Sequence, residues 1–236
     1  MRIVVWAALA ALGLALAGCA APEIPLDKVT ASQVKTIGLV TPRFPNGPDV
    51  ILASSIGQSF GLVGALIDAG LKATRDSQFQ SLLQTQNFSE PDIFTQRLTD
   101  GLKSEGYNVV ALPVARDQPD FLHQYPPAQV DAYFDVVVAG YGYLSAGIGS
   151  SLPYRPFILV RARLVKAQDS SVLMQDAVLY NNFGNLKNVI TIPADGTTGF
   201  PDFSALVADP PNAIKGMQTA TDKTTETVGK LLAPAL

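Results

Sequence analysis

Between Ser89 and Val114 the chain changes its period once, and that change constrains the fold more than any other stretch. In "SEPDIFTQRLTDGLKSEG" the residues Ile93, Phe94, Leu98 and Leu102 fall on one stripe, the spacing of a helix that buries one face. Ser89 stands at the cap position with Asp92 three residues on, Pro91 sits in the first turn, and Gly106 supplies the stop. "YNVVALPV", residues 107–114, follows at once and reads as a strand. An earlier strand is predicted at 34–41, "VKTIGLVT", ended by Pro42 and the turn-rich "PRFPNGPD". The order is therefore strand, helix, strand, and the helical stripe needs a sheet to cover.

The remaining elements extend that unit. A helical pattern covers 62–84, where Leu66, Ala73, Phe79, Leu82 and Leu83 recur at helical spacing. "YFDVVVAGYGYLSAG" at 133–147 predicts a strand whose Val136-Val137-Val138 run fits burial on both faces. "PFILVRARLVKA" at 156–167 and "SVLMQDAVLYNN" at 171–182 flank Gln168-Asp169-Ser170 as a hairpin. Residues 183–211 are rich in Gly, Pro, Asn and Asp and read as a long excursion. Behind the breaker Pro210-Pro211 and a cap at Asn212, the residues Ile214, Met217, Thr221, Thr224, Val228 and Leu231 mark a terminal amphipathic helix. The predicted class is α/β, with a mixed sheet in a two-layer or three-layer-like arrangement, in one domain at 34–236.

The start of the chain carries an address. Met1 and Arg2 give a short positive beginning, and Ile3 to Leu16 is an uncharged apolar run shorter than the ~20 residues a membrane-spanning helix needs. The run ends in Leu16-Ala17-Gly18-Cys19. This segment resembles the signal peptide and lipobox of bacterial lipoproteins. The resemblance implies cleavage after residue 18, a diacylglycerol on the Cys19 thiol and an acyl chain on the new amino terminus, so that residues 19–33 become a lipidated tether. Two or three acyl chains anchor a protein stably where one does not. Ala20, rather than aspartate, after the cysteine implies the outer membrane and its periplasmic face.

Composition excludes several kinds of chemistry. Cys19 is the only cysteine and His123 the only histidine, so a disulfide, a Cys/His zinc set and a Cys-His dyad are all ruled out. With 17 Lys+Arg against 20 Asp+Glu the net charge is −3, which gives no electrostatic footprint for nucleic acid. No calcium-binding loop and no cofactor motif is present, so no metal or cofactor is expected.

"GQSFG" at 57–61 matches the G-x-S-x-G turn that displays the nucleophile of a serine hydrolase. That reading needs a histidine late in the chain, whereas His123 precedes the 133–147 strand; a Ser-Lys dyad would have to recruit Lys72, thirteen residues beyond Ser59. Packing or turn roles for Gly57, Gly61 and Gly64 are expected instead, and no catalytic residue is assigned. Arg161 and Arg163, with Arg155 and Lys166 nearby, alternate with apolar residues and are expected on a solvated strand face. Tyr141, Tyr143 and Tyr154 are expected to pack at the sheet edge, and His123 to lie in a loop.

The Asp135 to Gly140 strand motif, the Ala162 to Leu173 hairpin and the closing helix resemble a group of periplasmic lipoproteins. It includes the lipoprotein of the curli secretion channel, polysaccharide-export lipoproteins and the amino-terminal domain of the Tol-system propeller protein. The likeness spans roughly residues 34–182 and the last helix. Ser170-Ser171 stands where the group has a turn glycine, and 42–88 is an insertion of its own. The resemblance implies binding or assembly in an envelope complex, with an envelope protein or a second copy as partner. A subunit of a secretion or export ring is the alternative, and a serine hydrolase a further one.

Overall fold

A computed structural model describes residues 23–52, 69–116, 118–145, 152–181 and 187–233. Cys19 and the 57–61 motif lie outside them. The described chain is a mixed α/β domain built on one seven-stranded sheet. Its strands are β1 (Thr36–Val40), β2 (Asp49–Leu52), β3 (Asn108–Leu112), β4 (Ala132–Ser145), β5 (Arg155–Lys166), β6 (Val172–Tyr180) and β7 (Ile190–Ile192). The order across the sheet is β3-β1-β4-β5-β6-β7, with β2 paired to the far end of β4. The helices are α1 (Lys28–Gln33), α2 (Ala69–Thr85), α3 (Glu90–Ser104), α4 (Phe203–Ala208) and α5 (Pro210–Lys230).

The strand-helix-strand unit forms as its period dictates: β1 and β3 pair in parallel, with Thr36 opposite Asn108 and Val40 opposite Leu112. Phe94, Leu98 and Leu102 of α3 are all fully buried. Gly106 ends that helix at φ +92°, a conformation open to glycine and costly for other residues. Ser89 is the N-cap residue but its side chain makes no capping hydrogen bond.

β4 and β5 form a long antiparallel pair, and β6 closes the hairpin. Alternation sends Phe134, Val136, Val138, Val160, Ala162, Leu164, Met174 and Val178 to one face, where the helices bury them. The arrangement has two layers, because α2, α3 and α5 contribute to that single core. α5 lies so close to the sheet that the Tyr143 hydroxyl donates to the Ala213 carbonyl at 2.8 Å. A Cβ on Gly216 would stand 2.2 Å from that hydroxyl oxygen, so the approach depends on glycine there.

Four parts of the sequence behave differently from their predicted roles. The strand ended by Pro42 is continued at the same edge of β4: Arg43 bridges Val137, and β2 resumes the parallel pairing with Asp49 opposite Gly142. The 183–211 excursion contains β7, a short 3-10 turn at 196–198 and α4. Pro210 and Pro211 form the first turn of α5, where a missing N–H costs nothing; its cap is Asp209, whose carboxylate accepts from the Asn212 N–H at 3.3 Å. The tether segment is structured from Ile24 on, since Ile24 and Gln175 exchange backbone hydrogen bonds of 2.8 and 2.9 Å and α1 follows.

Candidate functional site

The face of the sheet away from the helices carries a connected assembly of charged and aromatic side chains. Asp135, near the start of β4, is fully buried there. A buried carboxylate needs a partner and further hydrogen bonds to remain charged. Arg116, 5% exposed, supplies the partner at 2.5 Å, and the Leu122 N–H donates to the other carboxylate oxygen at 2.8 Å. Arg116 also donates to the carbonyls of Val136 at 2.9 Å and Thr41 at 3.2 Å, joining the 113–131 segment to β4 and to the end of β1.

Arg163 of β5 extends this network from the neighbouring strand. It donates to the Leu122 carbonyl at 2.7 Å and to the Tyr125 hydroxyl at 2.8 Å, and that hydroxyl donates on to Asp135 at 3.1 Å. Burial, and then the charge of Asp135, push the Tyr125 hydroxyl up to about 12, so it keeps the proton it donates. The Tyr125 ring stacks on Tyr133 at 4.8 Å. Phe121 lies under both strand arginines, 4.5 Å from the Arg163 guanidinium carbon and 5.1 Å from that of Arg161. Arg161 reaches the Pro119 carbonyl at 3.1 Å and Asp120 at 3.2 Å.

Arg161 and Arg163 therefore do not sit on a merely solvated strand face. The 113–131 segment, whose described residues form no helix or strand, is strapped across the sheet by their donors and by the Phe121 ring. These contacts turn inward onto the protein's own carbonyls and carboxylates, so the cluster is a clamp that fixes one loop. Of its members only the two arginines stand out by alternation. Asp135 and Arg116 were detectable by one signal: a carboxylate inside the apolar run "YFDVVVAG" must be neutralised, and "VARDQPD" holds a nearby arginine; Phe121 and Tyr125 carry no such signal.

The other sequence candidates are scattered. His123 is exposed in the strap. Tyr141, Tyr143 and Tyr154 are in the core, with Tyr143 against Phe79 and Phe200 at ring separations of 5.4 and 5.6 Å. Tyr154, just before the interior strand β5, pairs with Phe200 through backbone bonds of 2.7 and 2.9 Å. Lys72 is held between Asp49 and Asp76, and Asp76 also accepts from the Val50 N–H at 2.7 Å. Burial works against the Lys72 charge, but the hydrogen bonds of the two carboxylates outweigh it and raise its pKa above the ordinary value. Among the described residues no group of three or more His, Cys, Asp and Glu side chains is placed to hold a metal ion.

No protein-family profile matches the chain, and no curated protein matches it. Among solved structures it is similar to a Xanthomonas campestris protein of family DUF330, with a TM-score of 0.42 and 11% identity over 84% of this chain and 83% of that one. It is also similar to the PelC dodecamer of Paraburkholderia phytofirmans, with a TM-score of 0.39 and 9% identity over 91% of this chain and 97% of that one. A hypothetical protein of Chlamydia trachomatis gives a TM-score of 0.35 and 11% identity over 85% of this chain and 100% of that one. At such scores these are distant similarities, and the function of this chain rests on its own residues.

Proposed function

We propose that this chain is a lipoprotein anchored through acylated Cys19 at the periplasmic face of the outer membrane. It works by binding, as a partner or self-associating subunit in an envelope complex, and not by catalysis. The observation that carries the reading is Leu16-Ala17-Gly18-Cys19 closing a short apolar run behind Arg2. The only cysteine of the chain stands where the acylated residue belongs. Two features of the domain support it. Ile24 is fastened to β6 a few residues beyond Cys19, which keeps the domain beside its anchor. Lys72, the one base within reach of a Ser59 mechanism by sequence, is engaged by two carboxylates.

Cell fractionation of wild type and Cys19→Ser tests the anchor. The wild type is expected in the membrane fraction, and the variant as an unprocessed precursor or a released soluble form. A wild type as soluble as the variant defeats the reading. Crosslinking in intact cells is expected to capture a second envelope protein or a second copy, whereas stoichiometric labelling of Ser59 by a fluorophosphonate would establish catalysis instead.

A further inference from the structure

We propose that the β6–β7 edge of the sheet, together with α1, is the side of the domain that faces the bilayer. The inference rests on acylation of Cys19 and concerns what that anchor does to the orientation of the fold. Ile24 pairs with Gln175 along the outer edge of β6, on the side that β7 continues by pairing with Val178, Leu179 and Tyr180. Five residue steps separate Cys19 from Ile24, and a fully extended chain covers at most ~3.6 Å per step, so the lipid lies within about 18 Å of this edge.

That reach falls short of spanning the sheet. β3 is the opposite edge, four strand spacings from β6. At ~4.8 Å per spacing those strands alone are about 19 Å wide, before side chains are added. A domain presenting its β3 edge to the membrane would need its tether to run round the whole sheet, which five residues cannot do. The β6–β7 edge is the one the anchor holds down.

Exposed apolar side chains are distributed in the same sense. Six large hydrophobic side chains are exposed among the described residues, and three of them belong to this side: Val29 of α1 at 68%, Val172 of β6 at 37% and Ile190 of β7 at 36%. α1 begins four residues after Ile24, Val172 starts the strand that Ile24 joins, and Ile190 pairs with Val178 of it. Beside an acylated cysteine held at headgroup depth, such side chains meet the interfacial region of the bilayer. Val110 on β3, as exposed as Val172 at 37%, is their natural control.

The test uses the full-length acylated lipoprotein in vesicles of phosphatidylethanolamine and phosphatidylglycerol doped with a nitroxide-bearing lipid. Because Cys19 is the only native cysteine and its thiol is acylated, Val29→Cys, Val172→Cys, Ile190→Cys and Val110→Cys each offer a single free thiol for a bimane label. Quenching by the lipid nitroxide is expected to be several-fold stronger at the first three positions than at Val110. Equal or stronger quenching at Val110, or no quenching at any of the four positions in vesicle-bound protein, overturns the orientation while leaving the anchor intact. Intact mass without acyl chains, with protein that does not join the vesicles, overturns the anchor and the orientation together.

Discussion

Glu90→Gln is expected to make the domain more stable, by an amount that grows with pH. Glu90 is the first residue of α3, is 1% exposed, and meets the Thr221 hydroxyl of α5 inside the helix pair. That hydroxyl also contacts the Met217 carbonyl at 2.9 Å. One hydroxyl proton cannot serve both contacts, whereas a protonated Glu90 donating to Thr221, which then donates to Met217, satisfies each. The surroundings act the same way: burial, opposed by the Thr221 hydrogen bond and reinforced by the charge of Asp222, moves the Glu90 carboxyl from 4.5 up to about 8. A carboxyl raised in the folded state contributes fully below the unfolded value and loses that contribution as pH climbs through the folded value. At about 1.4 kcal/mol per unit, the loss reaches about 3 kcal/mol at pH 7 and about 5 kcal/mol near pH 9. Glutamine keeps the shape and a donor for Thr221 without the titration. Urea unfolding of the purified protein from about pH 5 to about pH 9 should show the two proteins close together at the acid end and the variant well ahead at the alkaline end. A stability difference that does not vary with pH, or a variant weaker at alkaline pH, refutes a neutral Glu90.

Other substitutions probe the two faces of the sheet and its turn. Leu164, 1% exposed in the core, when changed to Asp should cost several kcal/mol and lower the melting temperature sharply or abolish expression, whereas Arg161→Glu, at a side chain 31% exposed, should cost no more than about 1 kcal/mol. Asp135→Asn leaves the Arg116 guanidinium buried without its counter-charge and should cost about 3–5 kcal/mol in the same thermal melts. Ser170 holds φ +60° in the hairpin turn, so Ser170→Gly should raise stability by about 0.5–1 kcal/mol; an unchanged denaturant midpoint would show that Asp169, which accepts from Ser171 at 3.0 Å, already absorbs the strain.

Most of the frame was legible because each of its elements carries its own period. The α3 stripe, the Gly106 stop and the strand after it are local facts of the chain, and tertiary packing only confirms them. The β5–β6 hairpin was legible for the same reason. The losses share a different cause. β2 and β7 are strands of four and three residues whose pairing partners are distant in sequence, and so short a run has no period to read. Ile24 joins β6 by two backbone hydrogen bonds that no side-chain pattern announces. Alternation alone sent Arg161 and Arg163 to a face called solvated, because it shows which way a side chain points and not what loop lies over it. The strap became visible only with Asp135, whose burial requires Arg116, Leu122 and Tyr125 to come to it.

The central claim is chemical, and mass spectrometry of the amino-terminal peptide from membrane-extracted protein tests it most directly. The account predicts a chain that starts at Cys19, with the mass of a diacylglycerol on sulfur and an acyl group on nitrogen, and no peptide from residues 1–18. An unmodified Cys19, or a mature chain that still begins at Met1, would contradict it.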